Sequence, residues 1–128
     1  EYDVLDSEAD QVFSPEKYWF LPLAKKGEID RAVGETKGIV MKHDGKLIAA
    51  FFVSGTGSTG QYITYNEGKT GDNVVQTSLG LVTSPPSQNP YNRGAMGQVQ
   101  ANALASKGYG WQQILKYFYG SDIEFVKG

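Results

Sequence analysis

An α+β fold is predicted by three observations in the 128-residue sequence. Two β-rich runs, Gly38–Met41 and Lys46–Val53, flank His43-Asp44-Gly45-Lys46. The Asp-Gly pair favours a tight hairpin, because glycine accepts positive φ at little cost. Near the C-terminus, Met96, Val99, Ala103 and Leu104 form one apolar stripe at helical spacing, and Trp111, Ile114, Leu115 and Phe118 form a second. Lys107-Gly108-Tyr109-Gly110 separates them, so the segment reads as an αα-hairpin. The expected architecture is a small mixed or antiparallel sheet, with a β-hairpin at 38–54 and the helical pair closing the domain.

The remaining elements follow in order. Tyr2–Phe13 reads as a strand or extended lead-in, with Val4, Val12 and Phe13 set among acids. Ser14-Pro15-Glu16 is a helix start, with proline in the first turn. The next stretch is broken again by Pro22 and reads as a helical turn and loop over the core. Ile29, Ala32, Val33 and Thr36 recur at helical spacing, and Gly38 is placed to cap that helix. The nearly continuous apolar run LIAAFFV is expected at the centre of a sheet. A Gly/Ser/Thr loop at 54–60 follows, then strands at Gln61–Tyr65 and Asn73–Thr77. Thr83–Pro90 holds three prolines and reads as an irregular loop, since each removes an amide donor.

Composition excludes several functions. The chain has no cysteine, so disulfides, thiolate metal sites and cysteine nucleophiles are ruled out. A single histidine, His43, speaks against a histidine-rich metal site; no metal and no cofactor are expected. No apolar run approaches the ~20 residues of a membrane span. Net charge is −2 and only two arginines occur, which makes phosphate recognition and nucleic acid poor expectations. From Asn73 to Ser121 the only charges are Arg93, Lys107 and Lys116, amid Ser, Thr, Asn, Gln, Gly and Tyr. Such a surface suits a neutral polar ligand such as a glycan, and it equally describes solvated loops.

Individual motifs carry similar alternatives. Gly55, Gly57 and Gly60 satisfy G-x-G-x-x-G after a strand, but a dinucleotide site needs a helix to open there. The following QYITYNEG alternates like a strand instead, and no acid stands about 20 residues on. The segment is therefore a connection or a hydrogen-bonding ligand loop. His43 reads as a surface residue beside a turn. Asp10, Glu35, Glu67 and Asp72 are solvated or capping acids, or general acids if buried. Tyr62, Tyr65, Tyr91, Tyr109 and Trp111 are either packing residues or a platform for sugar rings.

Three stretches resemble the stage II sporulation protein D family, in order and across nearly the whole chain. YDVLDSEADQVF is similar to the family's Y-D-V-x-D-T-x-x-x-Q-V-Y. AVGETKGIVMKHDGKLIAAFFVSGTGSTG is similar to its A-V-x-A-T-x-G-x-V-L followed by G-x-x-I-x-A-x-F-x-S-x-x-G-G-x-T. In the last stretch Met96, Gln98, Ala101, Ala105, Gly108, Ile114, Leu115, Tyr117, Tyr119 and Gly120 match its G-H-G-x-G-M-S-Q-x-G-A segment and the helix, I-L and Y-Y-x-G that follow. The resemblance implies a peptidoglycan lytic transglycosylase-like domain of the bacterial envelope. Such an enzyme uses one glutamate as acid and then base while the muramyl 6-hydroxyl closes an anhydro ring.

Departures accompany the resemblance. The family's catalytic glutamate lies in a V-x-x-E-M segment upstream of Y-D-V, so the chain is expected to be the C-terminal part of such a domain, without that helix. Leu5, Ala9 and Asp10 stand where some members hold a metal, and Asn92 and Arg93 stand near the family's G-H-G histidine. Ser58 replaces the second glycine of G-G-x-T. The reading that results is a peptidoglycan-binding portion acting on the glycan strand, with Ser54, Thr56, Ser58, Thr59, Asn92, Arg93, Met96 and Gln98 lining the groove. Its expected partners are the glycan strand, an N-terminal catalytic fragment and other envelope or sporulation proteins. The expected location is extracellular or in the cell wall. A diverged structural or binding module of a cell-surface or phage-tail assembly is the alternative, and a glycosidase using Glu35 or Asp10 is a third reading.

Overall fold

Residues 14–79 and 91–128 are described by the computed structural model; the expectations for Tyr2–Phe13 and Thr83–Pro90 lie outside them. The chain divides into two compact units, one ending at Lys37 and the other running from Gly38 to Gly128. In the first unit, helix α1 (Pro15–Trp19) begins with proline in its first turn, as the sequence predicts. Helix α2 (Leu23–Thr36) is longer than expected. Pro22 starts it instead of interrupting it, because a proline just before the first turn has no amide that the helix would use. Polar contacts join the two: the Tyr18 hydroxyl donates to Asp30 at 2.8 Å and the Lys26 ammonium to the Trp19 carbonyl at 2.7 Å. None of the described residues of this unit is buried, and Trp19, Phe20 and Leu23 are strongly exposed.

The second unit is α+β. Strands β1 (Ile39–His43) and β2 (Lys46–Leu47) pair antiparallel around the two-residue Asp44-Gly45 turn. Both turn residues have positive φ, 49° and 75°, as a tight hairpin of right-handed twist requires. The apolar run after the turn does not stay in that hairpin. Ile48 gives its amide to Met41 O at 3.2 Å, and the next residue, Ala49, gives its amide to Tyr91 O at 2.8 Å. The chain thus changes partners within one step. Strand β3 (Ala49–Val53) pairs in parallel with strand β4 (Asn92–Gly97), and its burial alternates, leaving Phe52 half exposed. The central strand expected from LIAAFFV is therefore divided between two sheets.

Strand β4 includes Met96, which the apolar stripe places at the start of a helix. Helix α3 (Gln98–Ser106) starts only after Gly97, and helix α4 (Trp111–Tyr119) follows the Lys107–Gly110 turn. This confirms the αα-hairpin with a shorter first arm. Strand β5 (Glu124–Lys127) then returns antiparallel to β1, from Ile39↔Lys127 to Lys42↔Glu124, giving a three-stranded sheet in the order β2-β1-β5. The core lies between α4 and the strands: Leu104, Ile114, Phe118, Tyr119 and Ile123 are buried, and Met41, Ile63, Met96 and Phe125 pack against them. The Tyr119 phenol donates to Phe51 O at 2.6 Å, tying α4 to β3, and burial pushes its pKa up to about 12.

The strands expected at 61–65 and 73–77 are instead 3₁₀ turns, Gly57–Tyr62 and Gly71–Asn73, each running into extended backbone. The extended parts bond to their neighbours one group at a time. Thr64 N donates to Ala95 O at 3.1 Å and Asn66 N to Tyr117 O at 2.7 Å. Gly94, at φ 113°, permits this crowding: a Cβ there would lie 2.0 Å from Thr64 Oγ1 and 2.9 Å from Asn66 Nδ2. Gly94→Ala is expected to cost about 3 kcal/mol from strain and overpacking together. Gly57→Ala, also at positive φ but in open space, should cost about 1 kcal/mol. Chemical denaturation of the two variants followed by circular dichroism checks the contrast; equal costs would contradict it.

Candidate functional site

The loop after β3 is built from hydroxyls. Ser54 Oγ and Thr59 Oγ1 lie 2.9 Å apart, and Thr59 Oγ1 also receives the Gly55 amide at 3.0 Å and donates to Thr56 O at 2.7 Å. Thr59 is thereby consumed in holding the loop, while Ser54, Thr56 and Ser58 face solvent. The same loop is fastened to the first turn of α3. Val99 N donates to Ser54 O at 3.1 Å, and Gln100 Nε2 donates to Gly55 O at 3.0 Å. Sequence-expected residues Ser54, Thr56, Ser58, Thr59, Met96 and Gln98 are thus brought to one place, with Gln98 exposed and Met96 half buried.

Gln100, which sequence reasoning passed over, is the fastener. Its Oε1 is buried without a hydrogen-bond donor. The Cβ positions of Gly55 and Gly97 would each fall 2.1 Å from that oxygen, so in both glycines a Cα–H points at it instead. Two weak C–H···O contacts take the place of one conventional bond. A side chain at either glycine would push Gln100 out and release the loop from the helix.

Asn92 and Arg93 correct the expectation that they line an open groove. Both are 1% exposed, and their polar atoms are spent inside the unit. Asn92 Oδ1 accepts the Thr77 amide at 3.1 Å while its Nδ2 donates to Thr77 O at 2.8 Å. Arg93 Nε donates to Tyr119 O at 3.2 Å, and its guanidinium pairs with Asp122. They hold the site's framework and present nothing to solvent.

His43 also departs from expectation. Its side chain is 13% exposed, and Nε2 lies 2.9 Å from Asp122 Oδ2. Asp122 therefore gathers the Arg93 guanidinium, the His43 ring and the Gly71 amide, the last at 2.8 Å. Burial by itself raises the carboxyl's pKa, but the Gly71 N–H, Arg93 and His43 outweigh it and hold the group below its ordinary 3.8. No local pattern in Gly120-Ser121-Asp122 announces this role, because its partners are 29 and 79 positions away.

A cleft of about 320 Å³ opens beside the fastened loop, lined by Tyr65, Gln100, Ala103, Leu104, Lys107 and Tyr117. Tyr65 is half exposed and meets Tyr117 edge to face, with ring centres 6.0 Å apart. Of the tyrosines and tryptophan singled out in the sequence, only Tyr65 lines it; Trp111 packs edge-on against Phe125. Glu35, Glu67 and Asp72 are exposed, and Asp10 lies outside the described residues. Among the described residues no three His, Asp or Glu side chains converge as a metal site, and no helix is long and apolar enough to cross a membrane. Comparison with family models, curated proteins and solved structures finds no match.

The Asp122 cluster sets a pH dependence. A carboxyl with a lowered folded pKa stabilises fully above its unfolded value and loses that stabilisation as pH falls through the folded value. Asp122→Asn leaves the Arg93 guanidinium buried and unpaired, and is expected to cost about 3 kcal/mol at neutral pH. The gap between the variant and the parent protein should close as pH falls below 3.8. Thermal unfolding of both proteins across an acid pH series measures it; a gap independent of pH would contradict the assignment.

Proposed function

We propose that this chain is the glycan-binding portion of a lytic transglycosylase-like protein of the bacterial cell envelope. The reading is carried by one observation: an uncharged loop presenting Ser54, Thr56 and Ser58 is fastened through Gln100 to the first turn of α3, where Gln98 is exposed. A fixed row of hydroxyls and an amide suits the hydroxyl and acetamido groups of N-acetylglucosamine and N-acetylmuramic acid. Thr56 and Ser58 can give and accept hydrogen bonds, and Ser54, whose proton goes to Thr59, can accept them, all without the charge that would draw phosphate. The tyrosines of the adjoining cleft add surface on which a sugar ring can lie. The resemblance of three ordered stretches to the sporulation protein D family supports the same substrate. The reading also includes a location in the cell wall and partners that bring the catalytic glutamate.

A second reading is a structural module of a cell-surface or phage-tail assembly. The exposed Trp19, Phe20 and Leu23 of the first unit favour it, since such side chains are common in contacts between proteins.

Incubation with purified sacculi separates the two readings. The glycan reading expects the chain to sediment with sacculi and to release no anhydro-muramyl products by itself. Replacing Ser54, Thr56 and Ser58 together by alanine removes three neutral hydrogen-bonding groups of about 0.5 kcal/mol each, so retention should weaken about tenfold. Absence of sedimentation would defeat the glycan reading, and anhydro products would show that the chain cleaves unaided.

A further inference from the structure

We propose that the cleft between α3 and the Tyr65–Tyr117 pair receives the peptide stem of a glycan strand, a small apolar residue first and then a free carboxylate that pairs with Lys107. The proposal rests on the glycan reading above and adds the peptide to the substrate.

The order of groups along α3 is the main ground. Gln100, Ala103, Leu104 and Lys107 follow one another at helical spacing on one face, and all four line the cleft. At ~1.5 Å per residue that face runs about 10 Å from Gln100 to Lys107. Gln100 is the end fastened to the hydroxyl loop, where the sugar is expected. Ala103 and Leu104 follow as an apolar floor, and the Lys107 ammonium stands at the far end. A muramyl unit with its stem presents the same order. Its lactyl group is joined as an amide to alanine, a small apolar residue. Next comes a glutamate that continues the stem through its side chain and keeps its α-carboxylate free. The lactyl group and two residues, at ~3.3 Å each when extended, cover about 10 Å.

The walls favour peptide over sugar in the interior. The Tyr65 ring is braced by Tyr117 and by Phe118 at 6.1 Å, and its carbonyl takes the Lys69 ammonium at 2.9 Å. Between these rings and the apolar floor hydrogen-bonding groups are few, and the Gln100 amide is already committed to Gly55. A pyranose brings hydroxyls on every side and would leave most of them unmet there, each at a cost. An alanine methyl buries without that cost, while the stem's peptide groups face the open side of the cleft. Half-exposed Tyr65 still offers surface to the sugar itself.

Charge selects among stems. Lys107 caps α3 and has no carboxylate within ion-pair distance among the described residues, whereas Lys25 and Arg31 of the other unit each have one. Between Asn73 and Ser121 the only other charges are Arg93, which is committed to Asp122, and Lys116. A free α-carboxylate gains from the ammonium; a carboxamide at the same position does not. Lys107 is exposed and the carbonyl end of α3 lies beside it, so the preference is modest and salt-sensitive.

The test is NMR titration of the intact chain at low salt with three ligands. Two are muramyl tripeptides: N-acetylmuramyl-L-alanyl-γ-D-glutamyl-L-lysine amide, and the analogue whose glutamyl α-carboxylate is a carboxamide. The third is triacetylchitotriose, which has no stem. The carboxylate tripeptide is expected to bind about threefold more tightly than the carboxamide. Both should bind more tightly than triacetylchitotriose, with shifts centred on Tyr65, Ala103, Lys107 and Tyr117. Lys107→Gln should bring the ratio of the two tripeptides to about one, and Lys107→Arg should retain it. Ala103→Phe fills the floor, so it should weaken both tripeptides and leave triacetylchitotriose unchanged. Ala103 and Lys107 are exposed, and the amide spectrum reports that each variant is folded. Equal binding by the two tripeptides, an unchanged ratio in Lys107→Gln, or full tripeptide binding by Ala103→Phe would overturn the proposal. Binding of triacetylchitotriose and sacculi while the cleft ignores both tripeptides refutes the stem subsite alone. Tripeptides seated in the cleft of a chain that binds neither triacetylchitotriose nor sacculi refute the glycan reading alone. A chain that ignores every ligand refutes both.

Discussion

The carboxamide of Asn66 holds the second unit together in a way no strand does. Fully buried, it takes the Val75 amide on Oδ1 at 2.8 Å and offers Nδ2 to the carbonyls of Val75, Arg93 and Phe118, at 2.8 to 3.1 Å. One side chain thus touches the 73–77 segment, strand β4 and the end of helix α4. An asparagine amide has the same donor and acceptor as a peptide group, so it can replace a rung of backbone pairing where two segments cannot run side by side. Asn92 repeats the device against Thr77, and Thr64 Oγ1 bridges Ala95 N and Phe118 O. Buried networks of this kind are costly when half satisfied and rigid when complete.

That network explains why so much polarity lies inside a domain whose apolar core is small. The Arg93–Asp122–His43 cluster joins β1, β4 and the turn before β5. The hydroxyl loop and the cleft sit outside this frame. Their geometry is fixed from within: β4 leads directly into α3, which carries Gln100 and is capped by Lys107.

What the sequence disclosed follows from how local each signal was. The Asp44-Gly45 turn and the two helices around Lys107–Gly110 were legible because a turn residue or a periodic stripe suffices to encode them. The partner exchange at Ile48 was not, because LIAAFFV is equally apolar on both sides of the break. Strand β4 was hidden as well: Asn-Arg-Gly-Ala-Met-Gly shows no alternation, and its two polar residues look like solvent-facing groups. Ser54, Thr56 and Ser58 stand together because they share one short loop, whereas the approach of Gln98 depends on the β3–β4 pairing, which is not a local signal. The inward turn of Asn92, Arg93 and His43 depended on partners distant in sequence, which no local pattern records.

The pairing of β1 with β5 has a consequence for how the unit forms. Strand β1 starts at Ile39, yet its antiparallel partner ends at Lys127, and His43 meets its acid only at Asp122. Nearly the whole unit is therefore one long closed loop, and the three-stranded sheet cannot be completed until β5 has been made. Contacts of such wide separation slow folding, since chain entropy is lost before the pairing repays it. During synthesis the hairpin and the helical pair can emerge early, but the framework waits for its last few residues. Up to that moment the apolar edge of β1 stays open to the wrong neighbour.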